Sequence, residues 1–168
     1  MIISIIYLVL SFILDNFMSN IFPSTLSDVS LFSTIYIAIA FVIIYPYFNS
    51  DKKYYLLIVI FGILFDILYT GTFLLNMFIF LILGILIKVL NNVFPENIFT
   101  TNLISVMIVG GYHILSFIIL SIVGSINYDF MLLIDIILNS IIMTIIYTSV
   151  SYFCMKFIYG KFNIKQIK

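Results

Sequence analysis

Between Lys53 and Lys88 the chain carries a single charged residue, Asp66, in the run YYLLIVIFGILFDILYTGTFLLNMFIFLILGILI. A helix this apolar has no polar face to offer water, so it must be enclosed by other helices or by lipid. The same texture recurs along the chain. At 1.5 Å of rise per residue, about 20 apolar residues cross a hydrocarbon core of roughly 30 Å. Six segments qualify: 2–21, 31–48, 54–70, 72–90, 101–123 and 131–155. Their separators are FPSTLSDVS, NSDKK, YTG, NNVFPEN and GSINYD, the composition of turns and loops. The third is so short that segments three and four must form a tight helical hairpin turning at Gly71. The fold read from this pattern is an all-α integral membrane protein, one domain of six transmembrane helices over residues 1–168.

Composition supports that class: 64% of residues are hydrophobic and 8% charged, where a soluble domain carries about a quarter charged. The opening run MIISIIYLVLSFILDNF lacks a basic n-region and a small-residue cleavage site, so it reads as the first span rather than a signal peptide. Lys52 and Lys53 follow segment two, Lys88 closes segment four, and Lys156, Lys161, Lys165 and Lys168 follow or end segment six. All the lysines thus share one side of a six-span chain, whose opposite loops hold only Asp28 and Asp129, and the excess of positive charge predicts cytoplasmic termini. The loops are too short to hold an extramembrane domain.

Several function classes fall away. No basic patch exists to neutralise phosphates, which argues against nucleic acid as a partner. Cys154 is the only cysteine and His113 the only histidine, so neither an intrachain disulfide nor a thiol or histidine metal cluster can be built. There is no G-x-S-x-G, no H-E-x-x-H and no GxGD-type aspartyl pair, and no nucleophile and base can be assembled. The expectation is a protein without catalysis, metal or cofactor.

The polar residues inside the spans are then the informative ones. In the six-span topology Asp15, Asp66, Asn76, His113, Asp135 and Asn139 all fall in the outer half of the membrane. Ser4, Ser11 and Asp15 form one stripe on the first helix, and Asp135 and Asn139 are one turn apart on the sixth. Asp66 has Gly62 one turn before it and Tyr69 and Thr70 one turn after. This spacing predicts helices that converge their polar faces on a common interior. For the serines and asparagines, interhelical bonding is the simpler account, at about 0.6 kcal/mol each; Asp15 and Asp135 lie close enough to an interface to hydrate there, and a lone His113 is ordinarily a packing residue. Asp66 is less easily placed, because an ionisable group at the centre of a span costs about 2.5 kcal/mol or more. It is expected to be neutral or hydrogen-bonded to helices one, five or six, beside an outer cavity, with Gly62 admitting a neighbouring helix.

FGILFDILYTG and the following TFLLNMFIFLILG resemble the signature hairpin of the rod shape-determining protein MreD family. That family has Gly-x-x-x-Asp in its third span, a short glycine turn, and a fourth span ending near a small residue; Gly62, Asp66, Gly71 and Gly84 match in order and spacing. The chain length, the six spans and Pro23 before span two extend the resemblance over essentially the whole chain. One place departs from it: the family's second glycine just after the turn is replaced here by Phe73-Leu74-Leu75. The resemblance implies a nonenzymatic subunit of the bacterial elongasome in the cytoplasmic membrane. There it would bind MreC and help link RodA and a class B penicillin-binding protein to MreB during peptidoglycan synthesis. It also implies a fold similar to the S components of energy-coupling-factor vitamin transporters, and such a substrate-binding S component is the alternative function. Against that alternative, the first helix has no alanine for the Ala-x-x-x-Ala docking pattern; Ala38 and Ala40 are the only alanines.

Overall fold

The computed structural model describes residues 2–21, 34–48, 50–122 and 130–161. Every regular element among them is helical: α1 (Ile2–Ile21), α2 (Tyr36–Ile44), α3 (Asp51–Phe65), α4 (Leu75–Val93), α5 (Ile98–Ile122) and α6 (Phe130–Lys161). Six helices stand where six were expected. A 3₁₀ turn, Tyr45–Tyr47, extends α2, and a π turn, Asp66–Thr70, extends α3. Four of the helical stretches, Asp51–Thr70, Leu75–Val93, Ile98–Ile122 and Phe130–Lys161, are long and apolar enough to cross a membrane.

The second helix corrects the sequence reading. A span over 31–48 was expected, but the described helix and its turn hold 9 and 3 residues, a rise of about 18 Å, well short of a hydrocarbon core. Residues 31–33 lie outside the described part. Thr34 and Ile35 are not helical, and Ile35 is extended with φ −99° and ψ 95°. At the far end Pro46 sits in the 3₁₀ turn, and Phe48 returns to extended backbone. The shortening is tolerated because α2 has no free side. Each residue from Tyr36 to Ile44 is buried, and α1, α4, α5 and α6 all pack on it. Tyr54 of α3 adds a hydrogen bond to the Phe41 carbonyl at 3.2 Å. A helix hydrophobic on every face belongs at the centre of a bundle, and YIAIAFVII is such a sequence, with Ala38 and Ala40 letting neighbours approach closely.

The other five helices enclose α2 and turn apolar side chains outward. On α6, Ile134, Leu138, Ile142, Ile146, Val150 and Phe153 are all exposed, a continuous apolar face of the kind that lipid covers. At one end of the bundle, the close of α6 meets the start of α1 and the end of α2. Tyr159 stacks on Tyr47 with ring centroids 3.8 Å apart and shares a 2.6 Å hydrogen bond with Ser4. Lys156 and Lys161 lie at that end of α6. The Lys88 ammonium donates to Asp51 at 2.9 Å, joining the end of α4 to the start of α3.

The α3–α4 hairpin turns where the sequence places it. Gly71 adopts the left-handed conformation, φ 60°, and Leu74 does so too, φ 59°. Leu74 thus holds a left-handed backbone without the residue type that ordinarily supplies it. Close packing of the hairpin rests on Gly62: a methyl group added there would lie 2.7 Å from the Cα of Met77. The neighbour that Gly62 admits is thus α4, its own hairpin partner. At Gly84 the added methyl would meet the tip of the Ile58 side chain. The start of α5 is fixed by a reciprocal cap, in which Asn97 Oδ1 accepts the Thr100 N–H at 2.9 Å and Thr100 Oγ1 accepts the Asn97 N–H at 3.2 Å.

Candidate functional site

A helix start leaves main-chain N–H groups without intrahelical partners, and a carboxylate is the strongest side-chain acceptor for them. Neither α2 nor α4 has a capping side chain at the residue that precedes it; Ile35 and Leu74 occupy those places. The chain supplies the acceptor from the preceding helix instead. Asp66, only 2% exposed, accepts the Asn76 N–H on Oδ1 at 3.0 Å and the Met77 N–H on Oδ2 at 3.1 Å. Asn76 Nδ2 and the Thr72 hydroxyl add bonds to Oδ1 at 3.0 and 2.6 Å.

Asp15 does the same for α2. Its Oδ1 accepts the Tyr36 N–H at 2.7 Å and its Oδ2 the Ile37 N–H at 2.8 Å. In both cases a small residue lies one turn before the aspartate, Ser11 or Gly62, and the two carboxylate oxygens take two consecutive N–H groups in the first turn of the next helix, the first and second of α2 and the second and third of α4. Asp15 and Asp66 thus join α1 to α2 and α3 to α4 by one device.

The bonding expected for Asp66 is corrected by this geometry. Its partners belong to α4 and the turn, not to helices one, five or six, because the turn at Gly71 brings the start of α4 directly over the carboxylate. The network still reaches α5: Tyr112 Oη donates to Asn76 Oδ1 at 2.6 Å, and Asn76 Nδ2 also bonds Thr70 at 3.0 Å. A second link runs to α1, where Tyr69 Oη donates to the Phe12 carbonyl at 2.7 Å and its ring lies 4.6 Å from that of Phe12.

The remaining sequence-marked residues do not join this cluster. His113 is half-buried with its ring edge-on to Tyr112, centroids 5.7 Å apart. Asp135 is exposed and Asn139 half-buried on α6, so the common polar interior anticipated from helical spacing resolves into separate groups around Asp15 and Asp66. Gly71 and Gly84 shape the hairpin, Gly71 at the turn and Gly84 against Ile58. Sequence reading missed Thr72 and Tyr112 as members of the Asp66 network. Tyr112 was legible only as part of Gly110-Gly111-Tyr112, which says nothing about which helix its hydroxyl meets.

No family model, curated protein or solved structure matches this chain.

Proposed function

We propose that this chain is a nonenzymatic multi-pass membrane subunit of the bacterial elongasome, an MreD-type partner of MreC, with its termini and lysine-rich end in the cytoplasm. The observation that carries the proposal is the α3–α4 hairpin. Three of the residues on which the family resemblance rests meet there in one structural unit: Gly62 against Met77, Asp66 on the Asn76 and Met77 N–H groups in the first turn of α4, and Gly71 at the left-handed turn. A carboxylate whose oxygens are taken by main-chain N–H groups and side chains of its own hairpin is a fastener. Such a role suits a protein that positions partners better than one that transforms a substrate. RodA, the class B penicillin-binding protein and MreB are the further members of the assembly in which the chain would act.

The test is co-purification with the MreC of the source cell, in detergent, together with depletion in that cell. The expected result is a stable complex, loss of rod shape and dispersal of lateral wall synthesis. If the purified chain instead captured a vitamin at nanomolar affinity and ignored MreC, the S-component reading would replace this one.

A further inference from the structure

One surface pattern recurs on α3 and α6 at the lysine-rich end of the bundle. On α3, Lys52, Leu56 and Ile60 are exposed four residues apart; on α6, running the other way, Lys161, Phe157 and Phe153 are exposed at the same spacing. Residues four apart share a helix face and lie about 6 Å apart along its axis. Each stripe therefore carries an ammonium at the end of the bundle and apolar side chains below it. Phe157 and Phe153 are 73% and 61% exposed, Leu56 and Ile60 59% and 43%. The two lysines stand at the same end, because Tyr159, just before Lys161, stacks on Tyr47, just before the start of α3. Lys53 and Lys156 are exposed beside them, the Lys156 ammonium 5.6 Å from the centroid of the Tyr152 ring. Among the described residues, Lys88 with Asp51 is the one ion pair that joins a lysine to a carboxylate.

A cation above an outward-facing apolar stripe is the complement of a phospholipid, with the phosphate at the ammonium and the acyl chain along the stripe below. An acidic protein docked on this end would match the charge and leave Leu56, Ile60, Phe153 and Phe157 uncovered. At the opposite end, Phe130 and Met131 on α6 and Phe73 at the hairpin turn are exposed without a lysine near them in sequence. We propose that Lys52 with Lys53, and Lys161 with Lys156, each hold the headgroup of an anionic phospholipid whose acyl chain lies on the stripe beneath. Such sites require the membrane-spanning reading proposed above and are independent of MreC.

The chain has no tryptophan, so Phe157→Trp places a single fluorophore on the α6 stripe and Phe130→Trp places one at the far end of the same helix. In phosphatidylcholine nanodiscs holding a minor share of phosphatidylglycerol, brominated phosphatidylglycerol should quench the Phe157→Trp protein more than brominated phosphatidylcholine at the same fraction. The Phe130→Trp protein should show no such preference. A lysine near an anionic headgroup is worth about fivefold in affinity, so Lys156→Gln and Lys161→Gln together should abolish the preference, whereas Lys156→Arg and Lys161→Arg should keep it. Leu56→Trp, with Lys52→Gln and Lys53→Gln, should give the same pattern on α3. Equal quenching by the two lipids in the Phe157→Trp protein, a preference that survives the glutamine changes, or an equal preference in the Phe130→Trp protein would each overturn the proposal. A chain that enters nanodiscs of neither composition would overturn the membrane reading with it.

Discussion

Asp66 Oδ2 accepts the main-chain N–H of Met77, and the Cα of that methionine lies 2.7 Å from where a methyl on Gly62 would sit. One residue of α4 is therefore fixed from both sides by two residues of α3, a turn apart. Replacing Asp66 tests the first contact. Asn can return one acceptor but turns an N–H₂ group toward a donor, Leu returns none, and Lys adds a cation where N–H groups already point. Thermal midpoints and, on the proposed function, MreC co-purification should fall in the order Asn, Leu, Lys, with Leu costing about 2 kcal/mol or more. Equal damage from Asn and Lys in variants that all insert would show that the carboxylate's charge itself is needed.

The second contact gives a comparison between glycines. Gly62→Ala drives a methyl into backbone and should cost about 1–3 kcal/mol. Gly84→Ala places its methyl 2.5 Å from Ile58 Cδ1, a shorter distance but to the movable end of a side chain. It should stay within about 1 kcal/mol of the parent, helped by alanine's helix propensity. Unfolding midpoints of the two variants decide; a more damaging Gly84→Ala would refute the backbone argument.

Leu74 holds φ 59°, which costs a side-chain-bearing residue roughly 1–2 kcal/mol. Leu74→Gly relieves that strain and should be neutral or stabilising. Leu74→Val should be worse than the parent by about 1 kcal/mol or more, since a β-branched residue fits this region poorly. If Val were tolerated as well as Gly, the turn would not have the left-handed geometry described.

Asp15→Ala should damage the protein more than Asp66→Ala. Both remove the acceptor from two N–H groups, each worth about 1–3 kcal/mol when left unsatisfied. The Asp66 site adjoins exposed Thr70 and Gly71, where water can replace the lost acceptor, whereas Tyr36 and Ile37 are enclosed on all sides. Folded yield and midpoint of the two variants compare directly, and a milder Asp15→Ala would mean that α2 finds another acceptor.

The orientation is checked by thiol labelling in a Cys154→Ser background, Cys154 being exposed. Ser27→Cys and Asn127→Cys should react in intact cells, and Ser50→Cys and Asn163→Cys only after permeabilisation. Reaction of Ser50→Cys from outside would reverse the topology.

Much of the helical framework was legible because oil-rich runs, breakers and a lone turn glycine are local signals; YTG could join two helices in only one way. The extent of α2 was not, because a run long enough to span a bilayer reads the same whether lipid or protein surrounds it. Ile35 and Pro46 mark the ends only once their neighbours are known. Asp15 and Asp66 stood out by charge, but the partners both share are main-chain N–H groups at a helix start, which leave no trace in residue type. Asp135 illustrates the opposite error: its spacing to Asn139 implies a shared face but not which way that face turns.

The enclosure of α2 has a consequence for biogenesis. Its nine-residue helix leaves the ribosome before α4, α5 and α6, three of the helices that surround it, and it is too short to enter a bilayer as an independent span. Until those helices arrive, α2 can be held only by α1, through packing and the grip of Asp15 on its first two N–H groups, and by Tyr54 of α3. Assembly thus proceeds with its centre provisional, and the core of the protein closes only when α6 is in place.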